Sequence, residues 1–171
     1  TSDWLIFLDL NQPVQVEQGQ HSTLEHGVIL AASLADLGLR LGRAVGLVAL
    51  GKDSVWLPPR QGEPQRWQIL RELALVSAGS HSLQDVLSRA KPAFKQRSSI
   101  IVVTPDIRGN WIQSLFSFLR GGVIPTILLF DPVSFGGAGD ARGALGLLTE
   151  LEIAHHLITR DVLDRPEANP G

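Results

Sequence analysis

The stretch "AVGLVALGKDSVWLPP", Ala44 to Pro59, decides the fold. Its first half is an apolar run of strand length, "GKDS" is a short turn, and "VWL" runs back before two prolines. A connection this short makes the returning strand antiparallel to the one before it. The other candidate strands are separated by helical stretches, and strands joined that way lie parallel with right-handed crossovers. One hairpin inside an alternating series therefore places a single antiparallel strand in an otherwise parallel sheet. Pro58 and Pro59 are expected to end that strand and shield it as a sheet edge.

Upstream, "DWLIFLDL" (3–10) reads as a buried strand. Ser22 with Glu25 three residues later forms a capping box, and the helix it opens runs to Gly42 as its stop. The run "AASLA" (31–35) places small side chains on one stripe, so this helix sits close to the sheet. Downstream, Pro64 suits the first turn of a helix that carries Trp67, Leu70, Leu73 and Ala74 at helical spacing and stops at Gly79. Ser82 and Asp85 cap a short helix ending before Pro92, and "SIIVVT" (99–104) is a strand covered on both faces. Asn110 opens a helix ending at Gly121, "VIPTILLF" (123–130) is another buried strand, Asp140 caps a helix to about Leu151, and "IAHHLI" (153–158) closes the series.

The expected architecture is an α/β doubly wound, mostly parallel six-stranded sheet with helices on both faces. Its predicted strand order is 3-2-1-4-5-6, with strand 3 antiparallel. A single domain is expected over residues 1–165, with a loose tail at 166–171. In such a sheet the binding crevice lies past the carboxyl ends of strands 1 and 4, where the winding reverses. Those ends carry Asp9 and Thr104–Asp106.

A formal net charge of −2 with scattered Lys and Arg argues against a nucleic-acid partner. Without cysteine there is no disulfide framework and no thiolate metal site, as suits a reducing compartment. The longest apolar region is interrupted by Asp36, Arg40 and Arg43, so membrane insertion by this segment is not expected. The lack of methionine and a strand starting almost at Thr1 suggest part of a longer protein, with removal of an initiator Met as the alternative.

Strand order, the antiparallel third strand and the Asp9 loop together resemble a von Willebrand factor A-like domain. The segments "EHGVILAASLADLGLRLGRAVGLVALG" (25–51), "LPPRQG" (57–62), "ILRELALV" (69–76) and "SIIVVTPD" (99–106) resemble one branch of it, the bacterial domain-of-unknown-function family fifty-eight. That resemblance implies a non-enzymatic protein-interaction module from a larger bacterial protein. It also implies a cytoplasmic module tethered to a membrane by segments outside this chain, and an adaptor role for a MoxR-type AAA+ ATPase. It implies a metal-adhesion site too, which takes Asp-x-Ser-x-Ser after strand 1, a Thr between two later helices and an Asp after strand 4. Here the corresponding positions hold Asp9, Asn11 and Pro13, then His81 (or Ser80), then Asp106.

Asp9, Asn11, His81 and Asp106 are thus the candidate metal ligands. Pro13 offers no side-chain oxygen, Asn11 carries no charge, and histidine suits zinc or nickel better than Mg²⁺. No cofactor is expected: the loop keeps the shape of a metal site without millimolar affinity for Mg²⁺. A Mg²⁺-dependent adhesion-type binder is the alternative, and a nucleotide-binding enzyme the third reading. "GGAGDARG" (136–143) follows the fifth strand, behind "DPVS", with Arg142 at the third glycine position, so it reads as a loop into a helix. No Gly-x-Ser-x-Gly elbow accompanies Ser80 and Ser82. His155 and His156 are adjacent on a strand, face opposite sides and read as a half-buried pair; His21 and His26 flank a helix start and read as solvated. Asn11, Gln12, His81, Asp106 and Arg108 are the expected partner-binding residues, on loops that converge at the crevice rim.

Overall fold

The computed structural model describes residues 3–16, 21–90 and 98–161. The expected domain boundary at residue 165 and the tail after it lie outside the described residues. In chain order the elements are β1 (Trp4–Leu8), α1 (Thr23–Arg40), β2 (Val45–Leu50), β3 (Ser54–Arg60), α2 (Glu63–Leu75), α3 (Leu83–Ala90), β4 (Ser99–Thr104), α4 (Phe116–Arg120), β5 (Ile124–Phe130), α5 (Arg142–Glu150) and β6 (Ala154–Ile158). The six strands are ordered β3-β2-β1-β4-β5-β6, with β3 antiparallel to β2 and the remaining pairs parallel. This is the architecture the hairpin and the alternating helices predict.

The four inner strands are buried on both faces because their apolar runs do not alternate with polar residues. One face packs Ile6, Leu8, Leu47 and Ala49 under α1 and α2. The other packs Phe7, Val48, Val102 and Leu129 against α3, α4 and α5. α1 begins as expected, with Ser22 Oγ accepting from the Glu25 N–H at 3.1 Å. Its end is closed by Gly42 N–H to Leu39 O and Arg43 N–H to Gly38 O, the paired bonds of a Schellman motif. The small-residue stripe is Gly27, Ala31, Ala35 and Gly38, spaced three and four apart, while Ala32 is only half-buried.

Two expectations fail together at the sheet edge. β3 does not stop before Pro58 but continues through both prolines to Arg60, with a bulge opposite Val45–Leu47. Prolines are tolerated there because an edge strand needs only half its N–H groups in the ladder, and bulges free more. The bulge leaves carbonyls to satisfy, and Gln65 does so: its amide donates to Val45 O at 2.8 Å and Pro58 O at 3.0 Å. α2 is therefore rotated to bury Gln65, Ile69 and Leu73. Trp67 stays 57% exposed beneath the Arg66 guanidinium, and Ala74 is exposed. α2 also ends at Leu75, short of Gly79.

Smaller differences follow from local chemistry. The segment after Asn110 is a turn and a 3₁₀ stretch, Ile112–Leu115, before α4 begins. Asp140 stands one residue before the N-cap, Ala141, and accepts from the Arg142 N–H. His26 is buried, not solvated: it bonds Ser22 O through Nδ1 at 3.0 Å and sits edge-on to Phe135. On β6, His155 is half-buried and His156 exposed.

Candidate functional site

The crevice is built where β1 and β4, adjacent in mid-sheet, both end in polar residues. β1 leaves the sheet through Asp9, whose N–H still donates to Val103 O at 2.9 Å. Its carboxylate then turns inward. Oδ1 accepts from the Asn11 N–H at 3.0 Å and Oδ2 from the Thr104 hydroxyl at 2.7 Å. Thr104 Oγ1 in turn accepts from the Asp106 N–H at 2.9 Å, so one hydroxyl couples the ends of both strands. Asp106 is gripped by Arg108: N–H and Nε–H donate to Oδ1, each at 3.0 Å, and Nη2 donates to Oδ2 at 2.9 Å. The Trp111 indole N–H fixes the turn from below by donating to Asp106 O at 2.8 Å.

Asp9, Thr104, Asp106 and Trp111 are all buried, with Asp106 only 2% exposed. Burial raises the Asp9 carboxyl from its ordinary 3.8 to about 6, against the Asn11 N–H and Thr104 hydroxyl that favour the charged form. The like charge of Asp106 adds to the rise and the Arg108 cation opposes it. The fork to Asp106, with the charges of Asp106 and Asp9, holds the Arg108 pKa above its usual value.

The loop after β1 is tied on two sides. Gln15 donates its amide to Asp9 O at 2.9 Å and accepts from the Thr23 hydroxyl at 2.7 Å, fastening the loop to the start of α1. On the other side Asn11 and Gly79 form an isolated parallel bridge, with Gln12 N–H to Gly79 O and Gly79 N–H to Leu10 O, both 2.8 Å. Gly79 is required by close approach, because a Cβ there would fall 2.4 Å from the Gly51 carbonyl carbon. A cleft of about 320 Å³ opens beside this network, walled by Val14, Val16, Pro105 and Ile107 and reached by Gln15 and Arg108.

The structure thus joins Asp9 and Asp106 but does not deliver His81 to them. His81 turns to Asp85 on α3, with Nδ1 3.4 Å from Oδ2. Among the described residues no group of three or more His, Cys, Asp or Glu side chains is arranged to hold a metal. Both Asp106 oxygens are covered by a guanidinium, Pro13 has no side-chain ligand atom, and the Asp9 oxygens already accept two bonds. The donor set does not fit Mg²⁺, which needs near-octahedral oxygen ligation.

Of the expected contact residues, Gln12 and Arg108 are exposed and His81 half-exposed. Asn11 and Asp106 are buried, because each supplies the backbone or carboxylate of the network; they hold the rim and do not face outward. Thr104, Gln15 and Trp111 carry the site's geometry; the sequence places Thr104 at the crevice and Gln15 on its rim without their bonding roles, and assigns Trp111 no role. The signal for Thr104 is a hydroxyl closing an otherwise apolar strand. "GGAGDARG" forms a loop into α5, as expected, and Ser82 Oγ only caps α3.

No protein-family profile and no curated protein sequence matches the chain. Solved structures do. The VWA domain of SpRpn10 aligns with 99% of this chain and 97% of its own at 13% identity, with a TM-score of 0.56. The pilus adhesin SpaC from Lactobacillus rhamnosus GG aligns at 12% identity and TM-score 0.56, covering 95% of this chain but 29% of the adhesin. An aerotolerance-related membrane protein from Bacteroides fragilis, with multiple mutations to serines, aligns at 19% identity and TM-score 0.53, over 75% of this chain and 67% of that one. Together with the strand order, these likenesses define the class: the chain has a von Willebrand factor A-like fold.

Proposed function

We propose that this domain is a non-enzymatic protein-interaction module whose binding rim is the crevice at the carboxyl ends of β1 and β4. The observation that carries this reading is how the polar groups there are used. Asp9, Thr104 and Asp106 serve as acceptors and donors that fix three loops, while Gln12, His81 and Arg108 stand at the surface. A rigid sheet presenting immobilised loops is a binding platform. The fold supports the reading, since a solved neighbour is a pilus adhesin.

The partner we favour is a MoxR-type AAA+ ATPase, for which the chain would act as an adaptor within a larger, membrane-associated bacterial protein on the cytoplasmic side. Support for this comes from the segments at 25–51, 57–62, 69–76 and 99–106 that resemble the domain-of-unknown-function family fifty-eight. No helix among the described residues is long and apolar enough to cross a membrane, so the tether would lie elsewhere. Affinity capture with the full-length protein tests the assignment. We expect an AAA+ ATPase to be recovered in chelator as in Mg²⁺, and Gln12→Ala with His81→Ala to reduce recovery without lowering the melting temperature. Recovery unchanged by both substitutions would move the interface to the outer helices. Recovery only with Mg²⁺ would favour the adhesion-type alternative, and a nucleotide-induced rise in melting temperature the enzymatic one.

A further inference from the structure

We propose that Arg108 is the resident cation of the crevice, a side-chain guanidinium standing where a loop of this shape would otherwise take a divalent ion. The argument starts from cost. Two buried carboxylates, Asp9 and Asp106, belong to strand ends joined through the one Thr104 hydroxyl, and the like charge of Asp106 acts on Asp9. Burying such a pair without a counter-charge is strongly unfavourable. Among the described residues the charges that act on Asp9 are those of Asp106 and Arg108, and Arg108 meets this pair of acids through its fork on Asp106.

Its chemistry suits the position. A planar fork meets both Asp106 oxygens at 3.0 and 2.9 Å, and arginine keeps its charge at any pH the protein meets. The loop is shaped to supply it from two residues away. Gly109, at φ 80°, reverses the chain just after Arg108, and the Trp111 indole pins Asp106 O, so the arginine folds back on its own turn. A guanidinium differs from a metal ion in being covalently held and in only donating hydrogen bonds. The Asp106 oxygens are therefore covered by a group that chelators cannot remove and that a divalent ion would have to displace, while the cleft beside them stays open.

Removing that side chain should reopen the position. The test compares the parent with Arg108→Ala and with the Arg108→Ala, Asp106→Asn double variant, titrating Mn²⁺ and following paramagnetic broadening of the Asn11 and Asp106 amide signals. Parent signals should survive Mn²⁺ concentrations at least about tenfold above those that broaden them in Arg108→Ala, because only the variant offers free carboxylate oxygens to a hard cation. The double variant should lose the response. Equal broadening in parent and variant, no broadening in folded Arg108→Ala, or an unchanged response in the double variant would each overturn the proposal. Should Arg108→Ala not fold, the parent decides through its Arg108 Nε–H resonance. That proton should exchange slowly and keep its shift in chelator and in Mn²⁺; fast exchange, or a shift with the metal, would refute a resident guanidinium. None of these outcomes depends on the identity of a protein partner.

Discussion

The chain writes the same short phrase twice, Asp106-Ile107-Arg108 and Asp140-Ala141-Arg142, and folds it the same way. In both, the arginine N–H and guanidinium reach back two residues to one carboxylate, with Nη2 to Oδ2 distances of 2.9 and 2.7 Å. The surroundings differ. Asp106 closes a buried strand and its side chain is 2% exposed, while Asp140 leads into α5 with 55% of its side chain in water. Water can replace the partner of the second aspartate at almost no cost, and cannot reach the first. Closely similar bonding therefore carries a structural duty in one loop and almost none in the other.

Cutting the two forks separately gives the largest expected difference. Arg108→Ala should destabilise by on the order of 3 kcal/mol, since it strands a buried carboxylate, and denaturant midpoints would show it. A loss of less than half that would mean water enters the crevice and the two loops are alike. Next comes Asp9, a buried acid in the same network with no fork of its own. Its folded pKa of about 6 lies above the ordinary 3.8, so the native state binds the extra proton between those values. Stability linked to Asp9 is fully present below about pH 4 and is lost as pH rises through about 6. The loss should amount to on the order of 2 kcal/mol. Subtracting the Asp9→Asn stability profile from the parent's isolates that slope; a flat difference would place Asp9 in contact with solvent. The smallest effect belongs to Arg142→Ala, for which no shift of the denaturation midpoint should be resolved. A clear loss there would end the contrast between the loops.

How far the sequence discloses this contrast depends on range. The sheet was legible because β1, β2, β4 and β5 are apolar runs and the 51–54 turn admits only a hairpin. Both Asp-x-Arg phrases are equally visible, and the signal that separates them is what precedes each. "SIIVVT" delivers Asp106 from a buried strand, whereas "GGAG" delivers Asp140 from a glycine loop. The face of α2 was not legible. Helical periodicity ranks Trp67 above Gln65 as a core residue, and only the bulge carbonyls of Val45 and Pro58 reverse that order. Nor does spacing reveal that His81 would turn to Asp85, because its distance from Asp9 is a matter of how two loops pass each other.

The bridge between Asn11 and Gly79 lies outside every strand, yet it is paired like one. Hydrogen exchange reads such pairing directly. The Gln12 and Gly79 amides, each bonded across the gap at 2.8 Å, should open only when β1 and the 76–79 segment part. That separation also breaks the packing of Gly79 on Gly51. Two loop amides should thus report the slow, sub-global opening of the sheet's upper rim, while the neighbouring Val14 amide, bonded within its own turn to Asn11 O at 3.3 Å, and the Ser80 amide exchange on the timescale of ordinary loops. The rim opens as one cooperative unit or not at all.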